Sequence, residues 1–138
     1  MPLTDAELID RLNQRRPPAI DTLGGHVLSV DKEAQTIKVR YEANPEFCHS
    51  KVIVQGGFLT GMVDSAMALV VLAVCGLRTR VPTLELKVSF IAPGNPGYLI
   101  GTGRIIHLGK STTFLAGELH QDDRLVVTAT ATAKIYYA

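Results

Sequence analysis

The sequence predicts an α+β fold in which one curved antiparallel sheet wraps around a single long helix, with an extra helix at the N-terminus. Three observations predict it. The stretch from Phe58 to Cys75 is apolar on nearly every side, interrupted only by Thr60, Asp64 and Ser65, so it must be covered nearly all round. Alternating strand patterns flank it, two before and four after. The last four are joined by short, turn-rich connections, which favours an antiparallel meander. One sheet, helped by a second copy of the chain, would cover the helix.

Each element has its own signal. Thr4 to Arg15 reads as a helix: Thr4 caps it, Glu7 completes a capping box, Leu8, Ile9 and Leu12 form an apolar stripe, and Pro17-Pro18 ends it. His26 to Val30 alternates weakly and Thr36 to Tyr41 cleanly, with Asp31-Lys32-Glu33 as the turn of a hairpin. Asn44 to Val54 is a loop carrying Asn44, Glu46, Cys48, His49 and Ser50. Gln55-Gly56-Gly57 opens the long helix, which stops at Gly76. Thr83 to Ile91 alternates strictly, with Leu84, Leu86, Val88 and Phe90 on one face and Thr83, Glu85, Lys87 and Ser89 on the other. Pro93 to Gly97 is a turn. Strands follow at Tyr98–Leu108, Thr112–His120 and Leu125–Tyr136, separated by Gly109-Lys110-Ser111 and Asp122-Asp123.

A length of 138 residues fits one domain, residues 1–138, with residues 1–18 as an N-terminal helical extension. Hydrophobic residues at 46% can build a core. A net charge of +1, no basic run and no Trp argue against nucleic acid as a partner. Two cysteines, Cys48 and Cys75, are too few for a disulfide framework, and the acidic start lacks signal-peptide character, so a cytoplasmic protein is expected. The long apolar stretch has the length of a membrane span. It holds an Asp, has no basic residues at its start and stands alone, so a core helix is expected and no membrane.

Two features carry chemistry. Gly56 and Gly57 leave free N–H groups at the positive end of a helix, where an oxyanion could sit; they would equally permit a tight turn. Asp64 is the sole charge between Lys51 and Arg78. A carboxylate there is costly unless paired or used, and Thr60 lies one turn before it. Gly56 and Asp64 are eight residues apart, about 12 Å along one helix axis. Reacting atoms must meet within about 3.5 Å. If both serve one reaction, Asp64 must come from a second, antiparallel copy.

The run Val54-Gln55-Gly56-Gly57-Phe58-Leu59-Thr60-Gly61-Met62-Val63-Asp64 resembles the helix start of PaaI-type hotdog thioesterases. Thr83 to Phe90, Pro93, Gly97 and Gly109-Lys110-Ser111 extend the resemblance over residues 25–136. It implies a hotdog fold and hydrolysis of acyl-CoA to a free acid and coenzyme A, by a homodimer at the least and a dimer of dimers in many cases. Gly56, followed by Gly57, would polarise the thioester carbonyl. Asp64 would be general base or nucleophile, Thr83 would hold the water, and Gln55 would lie near the thioester. Lys110 and Ser111 would contact coenzyme A. Two positions depart from the pattern: Gln55 stands where His is usual, and His49 where Asn is usual. Gln55 donates but does not titrate; His49 would orient water or bind substrate.

No cofactor beyond the substrate's own coenzyme A is expected, and no metal, because His26, His49, His107 and His120 are scattered. Two rivals remain. One is a non-catalytic acyl-CoA-binding module, which would not need Asp64. The other is a hotdog enoyl-CoA hydratase, whose Asp-x-Asn-Pro-x-His pattern Glu42-Ala43-Asn44-Pro45-Glu46-Phe47 echoes without its Asp and His.

Overall fold

A computed structural model describes residues 2–138. Helix α1 (Asp5–Gln14) begins with the expected capping box: the Thr4 hydroxyl accepts from the Glu7 amide and Glu7 Oε1 accepts from the Thr4 amide, each at 3.1 Å. Leu8 and Leu12 are buried. Pro17-Pro18 ends this helix but also starts another, α2 (Pro18–Thr22), which the sequence reading missed. Proline suits the first helical position, since its φ is already helical and the N–H it lacks would be unpaired there.

The strands are β1 (His26–Asp31), β2 (Thr36–Ala43), β3 (Thr83–Phe90), β4 (Gly97–Leu108), β5 (Thr112–Gln121) and β6 (Arg124–Lys134). A short 3-10 turn, Pro45–Phe47, sits in the loop after β2. The long helix α3 runs Gly56–Cys75. All strands join one antiparallel sheet in the order β1-β2-β4-β5-β6-β3, and α3 packs against every strand from β2 to β6. This is the hotdog arrangement.

The expected meander holds for β4-β5-β6 but not for β3, which pairs with β6 at the far edge. The free side of β2 is taken by β4, so the chain crosses from one edge back to the middle after β3. Three strand spacings come to about 14 Å, within reach of the link between Phe90 and Gly97.

Nine residues of α3 are buried, Met62, Val63, Ala66, Met67, Val70 and Val71 completely. Gly103 and Gly117 let the helix lie close to the sheet: a Cβ at Gly103 would run into the Ala66 carbonyl, 2.8 Å from its carbon, and one at Gly117 would sit 2.9 Å from Met67 Cγ. Ile37, Val39 and Tyr41 of β2 bury alternately, as their pattern predicts. The weaker alternation of β1 corresponds to a register shift between Val27 and Ser29. By length and mean hydropathy (2.1) α3 could cross a bilayer; its packing inside the sheet is that of a core helix.

Candidate active site

Asp64 lies half-buried on α3, and its Oδ1 accepts a 2.7 Å hydrogen bond from Thr83 Oγ1. Strict alternation would turn Thr83 away from the helix with Glu85 and Lys87. The β3–β6 register instead shifts between Thr83 and Glu85. Leu86 pairs with buried Ala131, and Thr83 pairs with buried Ala133, so both point toward the helix. A β-bulge re-aims a side chain in this way, and here it brings the hydroxyl to the carboxylate.

Next to Asp64, Ser65 Oγ donates to the Met62 carbonyl at 2.9 Å and lies 2.6 Å from the Tyr41 hydroxyl. Serine has one proton and gives it to Met62, so Tyr41 is the donor in the second bond. Tyr41 is fully buried. Burial pushes its phenol well above the ordinary value; the Ser65 bond offsets part of the rise, and the Asp64 carboxylate adds to it. Sequence alternation put Tyr41 on one strand face with Ile37 and Val39 but gave no sign of this link. Thr60 does not serve Asp64: its hydroxyl donates to the Gly56 carbonyl at 2.8 Å.

At the start of α3, the Gln55 amide is held by the Phe47 carbonyl at 2.9 Å. The next two amides, Gly56 and Gly57, donate to no protein group among the described residues. They point out of the positive end of a 20-residue helix. Gly56 has no room for a side chain, because a Cβ would fall 2.9 Å from the Phe90 ring. The Gln55 side chain folds back over Gly57, with Oε1 3.1 Å from where a Cβ would stand. A cavity of about 400 Å³ opens beside Gly56, walled by His49, Ile53, Leu59, Phe90 and the Pro93-Gly94 turn.

The predicted residues therefore fall into two groups within one chain. Asp64 and Thr83 touch; Gln55, Gly56, Gly57 and His49 gather at the other end of β3, where Phe90 meets Gly56. Exposed Lys110 and Ser111 belong with the first group: Leu108 pairs with Thr113, Thr113 with Ala133 and Ala133 with Thr83, so their hairpin lies at the Thr83 end of the sheet. A larger hollow, about 690 Å³, lies over the sheet's other face and includes none of these residues. Among the described residues, no three His, Cys, Asp or Glu side chains are grouped to hold a metal ion.

Comparison with known proteins places this geometry. Residues 53–128 match the sequence profile described as the thioesterase superfamily. A phenylacetic acid degradation-related protein from Ralstonia eutropha JMP134 is 36% identical and superposes with a TM-score of 0.84 over 92% of this chain and 98% of its own. The PaaI protein of the Escherichia coli phenylacetic acid degradation operon, 18% identical, shares the fold with a TM-score of 0.81, over 94% of this chain and 92% of its own. So does a Streptococcus pneumoniae TIGR4 protein described as a hypothetical thioesterase with coenzyme A, 19% identical, with a TM-score of 0.72 over 81% and 85%. No curated protein sequence matches the chain.

Proposed function

We propose, because this chain belongs to the thioesterase superfamily and has the PaaI-like hotdog fold of a thioester hydrolase, that it hydrolyses acyl-CoA at a site shared by two copies of itself. The observation that carries the reading is the Thr83–Asp64 hydrogen bond at 2.7 Å. Thr83 spends its one proton on Asp64, so its oxygen is left to accept. A water donating one hydrogen to Asp64 and one to Thr83 keeps a lone pair free for the thioester carbon. Asp64 takes the water's proton as general base. The Gly56 N–H stabilises the oxyanion that forms, and collapse of the tetrahedral intermediate breaks the C–S bond; the thiolate leaves with the proton that Asp64 had taken, which releases coenzyme A and restores the base.

The second copy removes the separation between Gly56 and Asp64. One edge of β3 has no strand partner, and Leu84, Phe90 and Ile91 beside it are exposed. Two β3 strands paired antiparallel about a two-fold axis must keep helix-facing residues on one side, which restricts the register to steps of two. With Leu86 on the axis, Glu85 lies opposite Lys87 of the second copy. Moving the axis to residue 85 or 87 would instead set Glu85 against Glu85 or Lys87 against Lys87, which is unfavourable. In the favoured register the bulge brings Thr83 opposite Val88 of the second copy, on the helix side and one helix-facing position from the Phe90 that touches Gly56. Each site then takes Asp64 and Thr83, with Lys110 and Ser111 nearby for coenzyme A, from one chain. It takes Gly56, Gln55 and His49 from the other.

Coenzyme A in the S. pneumoniae relative supports a CoA ester as substrate. The test is thiol release from a panel of short, long and aromatic acyl-CoAs. Asp64→Asn keeps the side-chain shape but removes the base, and turnover should fall at least about 100-fold while the variant still folds and binds coenzyme A. Full turnover by that variant would overturn the mechanism. Binding of acyl-CoA without thiol release by the natural chain would favour the binding module.

A further inference from the structure

The cavity beside Gly56 is built from two loops, and both are anchored to one buried side chain outside it. Gln121, the last residue of β5, is 5% exposed and does not line the cavity. Its Oε1 accepts from the Asn95 amide at 2.9 Å, and its Nε2 donates to the carbonyls of Asn95 at 2.8 Å and Tyr98 at 3.2 Å. Both amide protons are thereby used. Asn95 passes the restraint on, its Nδ2 donating to the Val52 carbonyl at 2.7 Å. One residue earlier, the Gly94 carbonyl accepts from the Val54 amide at 2.8 Å. Gly94 lies close against Leu59, whose methyl carbons would be 3.2 and 3.3 Å from a Cβ there.

The amides leading to the helix are therefore held in sequence: Val54 by Gly94, Gln55 by Phe47, and then Gly56, whose N–H is left for substrate. We infer that Gln121 is a positioning residue for thioester hydrolysis: through Asn95 and Gly94 it sets where the Gly56 N–H meets the developing oxyanion. The inference rests on the acyl-CoA reading above. It differs from a purely architectural clamp in what it predicts, because an oxyanion donor displaced by a fraction of an ångström loses transition-state binding while the protein stays folded and binds substrate.

Three variants test it. Gln121→Met keeps the length and removes every bond; its kcat should fall about tenfold or more, set against the roughly 100-fold that complete loss of an oxyanion donor costs, with KM changed less than about threefold. Gln121→Glu still accepts from the Asn95 amide but, ionised, meets two carbonyls without a proton to offer them; protonated, it donates again. Its kcat relative to the natural chain should therefore recover as pH is lowered, while the Met variant's ratio stays flat. Asn95→Ala leaves the Gln121 backbone contacts and cuts the Val52 tie together with a long, exposed 3.4 Å bond that Arg124 Nη2 donates to Asn95 Oδ1; it should give a smaller loss, about threefold by the same reasoning, and it decides the matter if Gln121→Met fails to fold. Amide exchange at Val54 and Gln55, whose N–H groups are bonded to Gly94 and Phe47, reads the coupling without substrate and should quicken in Gln121→Met, or in Asn95→Ala if that variant does not fold. Natural kcat in the folded variants, a pH-independent Glu ratio or unchanged exchange would each overturn the inference. Natural chain and Asp64→Asn run alongside: hydrolysis by the first and not the second, with Gln121 variants fully active, defeats only the role of Gln121. No hydrolysis by the natural chain defeats the acyl-CoA reading, and the exchange result then stands alone for or against the Gln121 coupling.

Discussion

Replacing Thr83 with valine isolates the bond on which the mechanism turns. Valine keeps the branched shape and strand preference of threonine, so the bulge and its packing should persist while the hydroxyl disappears. The bond lost is 2.7 Å long, from a hydroxyl to a carboxylate. Hydrogen bonds to charged groups contribute about 1.5–3 kcal/mol. Thr83 and Asp64 are both half-buried, so water can replace part of the contact and the lower half of that range applies. About 1.5–2 kcal/mol of transition-state stabilisation corresponds to a fall of about 10- to 30-fold in kcat. KM should move less than about twofold, because in the proposed mechanism the hydroxyl holds water rather than acyl group or coenzyme A. Thr83→Ser keeps the donor and should retain at least about a third of the natural kcat on the same energy scale. The assay is steady-state thiol release on the best acyl-CoA. Full kcat in Thr83→Val would refute the water-holding role, and an effect confined to KM would make Thr83 a substrate contact instead.

Two further outcomes are expected. Lys87→Glu sets like charges opposite each other twice across the two-fold axis; at about 0.2–1 kcal/mol per cross-strand pair, the dimer dissociation constant measured by sedimentation should rise about tenfold, and adding Glu85→Lys should restore it. A double variant as weak as the single one would exclude the Leu86-centred register. The buried Tyr41 phenol, raised from 10.0 mainly by burial, stays protonated in the folded chain at pH values where the unfolded chain has begun to release that proton. Stability is therefore fully present below about pH 10 and declines above it, by about 1.4 kcal/mol at pH 11 from this residue. Urea unfolding at pH 8 and 11 should show that decline, and Tyr41→Phe should show a smaller one; an equal decline in both would remove Tyr41 as its source.

Local patterns in the chain foretold most of the fold. The capping box at Thr4 and Glu7, the alternation of Ile37, Val39 and Tyr41, and the all-round apolarity of α3 each depend on residues close in sequence. Two features depended on more distant parts of the chain. Helix α2 was hidden because Pro17-Pro18 is an equally good helix end and helix start. The position of β3 beside β6 was hidden because a short link reads as a hairpin unless both free strand edges are known. Gly103 and Gly117 looked ordinary in the sequence; only the close passage of Ala66 and Met67 shows why a side chain would not fit.

The site was legible in a different way. Charge isolation marked Asp64 and paired glycines marked the helix start; if both serve one reaction, the spacing between them requires two copies of the helix. What spacing could not supply was direction. On strict alternation Thr83 faces away from Asp64, and one extra residue in β3 reverses this. The same parity argument then works across the edge. A bulge changes which face Thr83 uses but leaves Leu86 and Val88 on the helix side, so the symmetric register must be counted from Leu86 and not from Thr83. Counted that way, the proposed dimer pairs opposite charges at the axis and sets the bulged end of one β3 beside the Phe90 end of the other. In the proposed dimer, the local irregularity that aims Thr83 at the carboxylate and the regular strand beyond it that sets the register together bring Asp64 of one chain to Gly56 of the next.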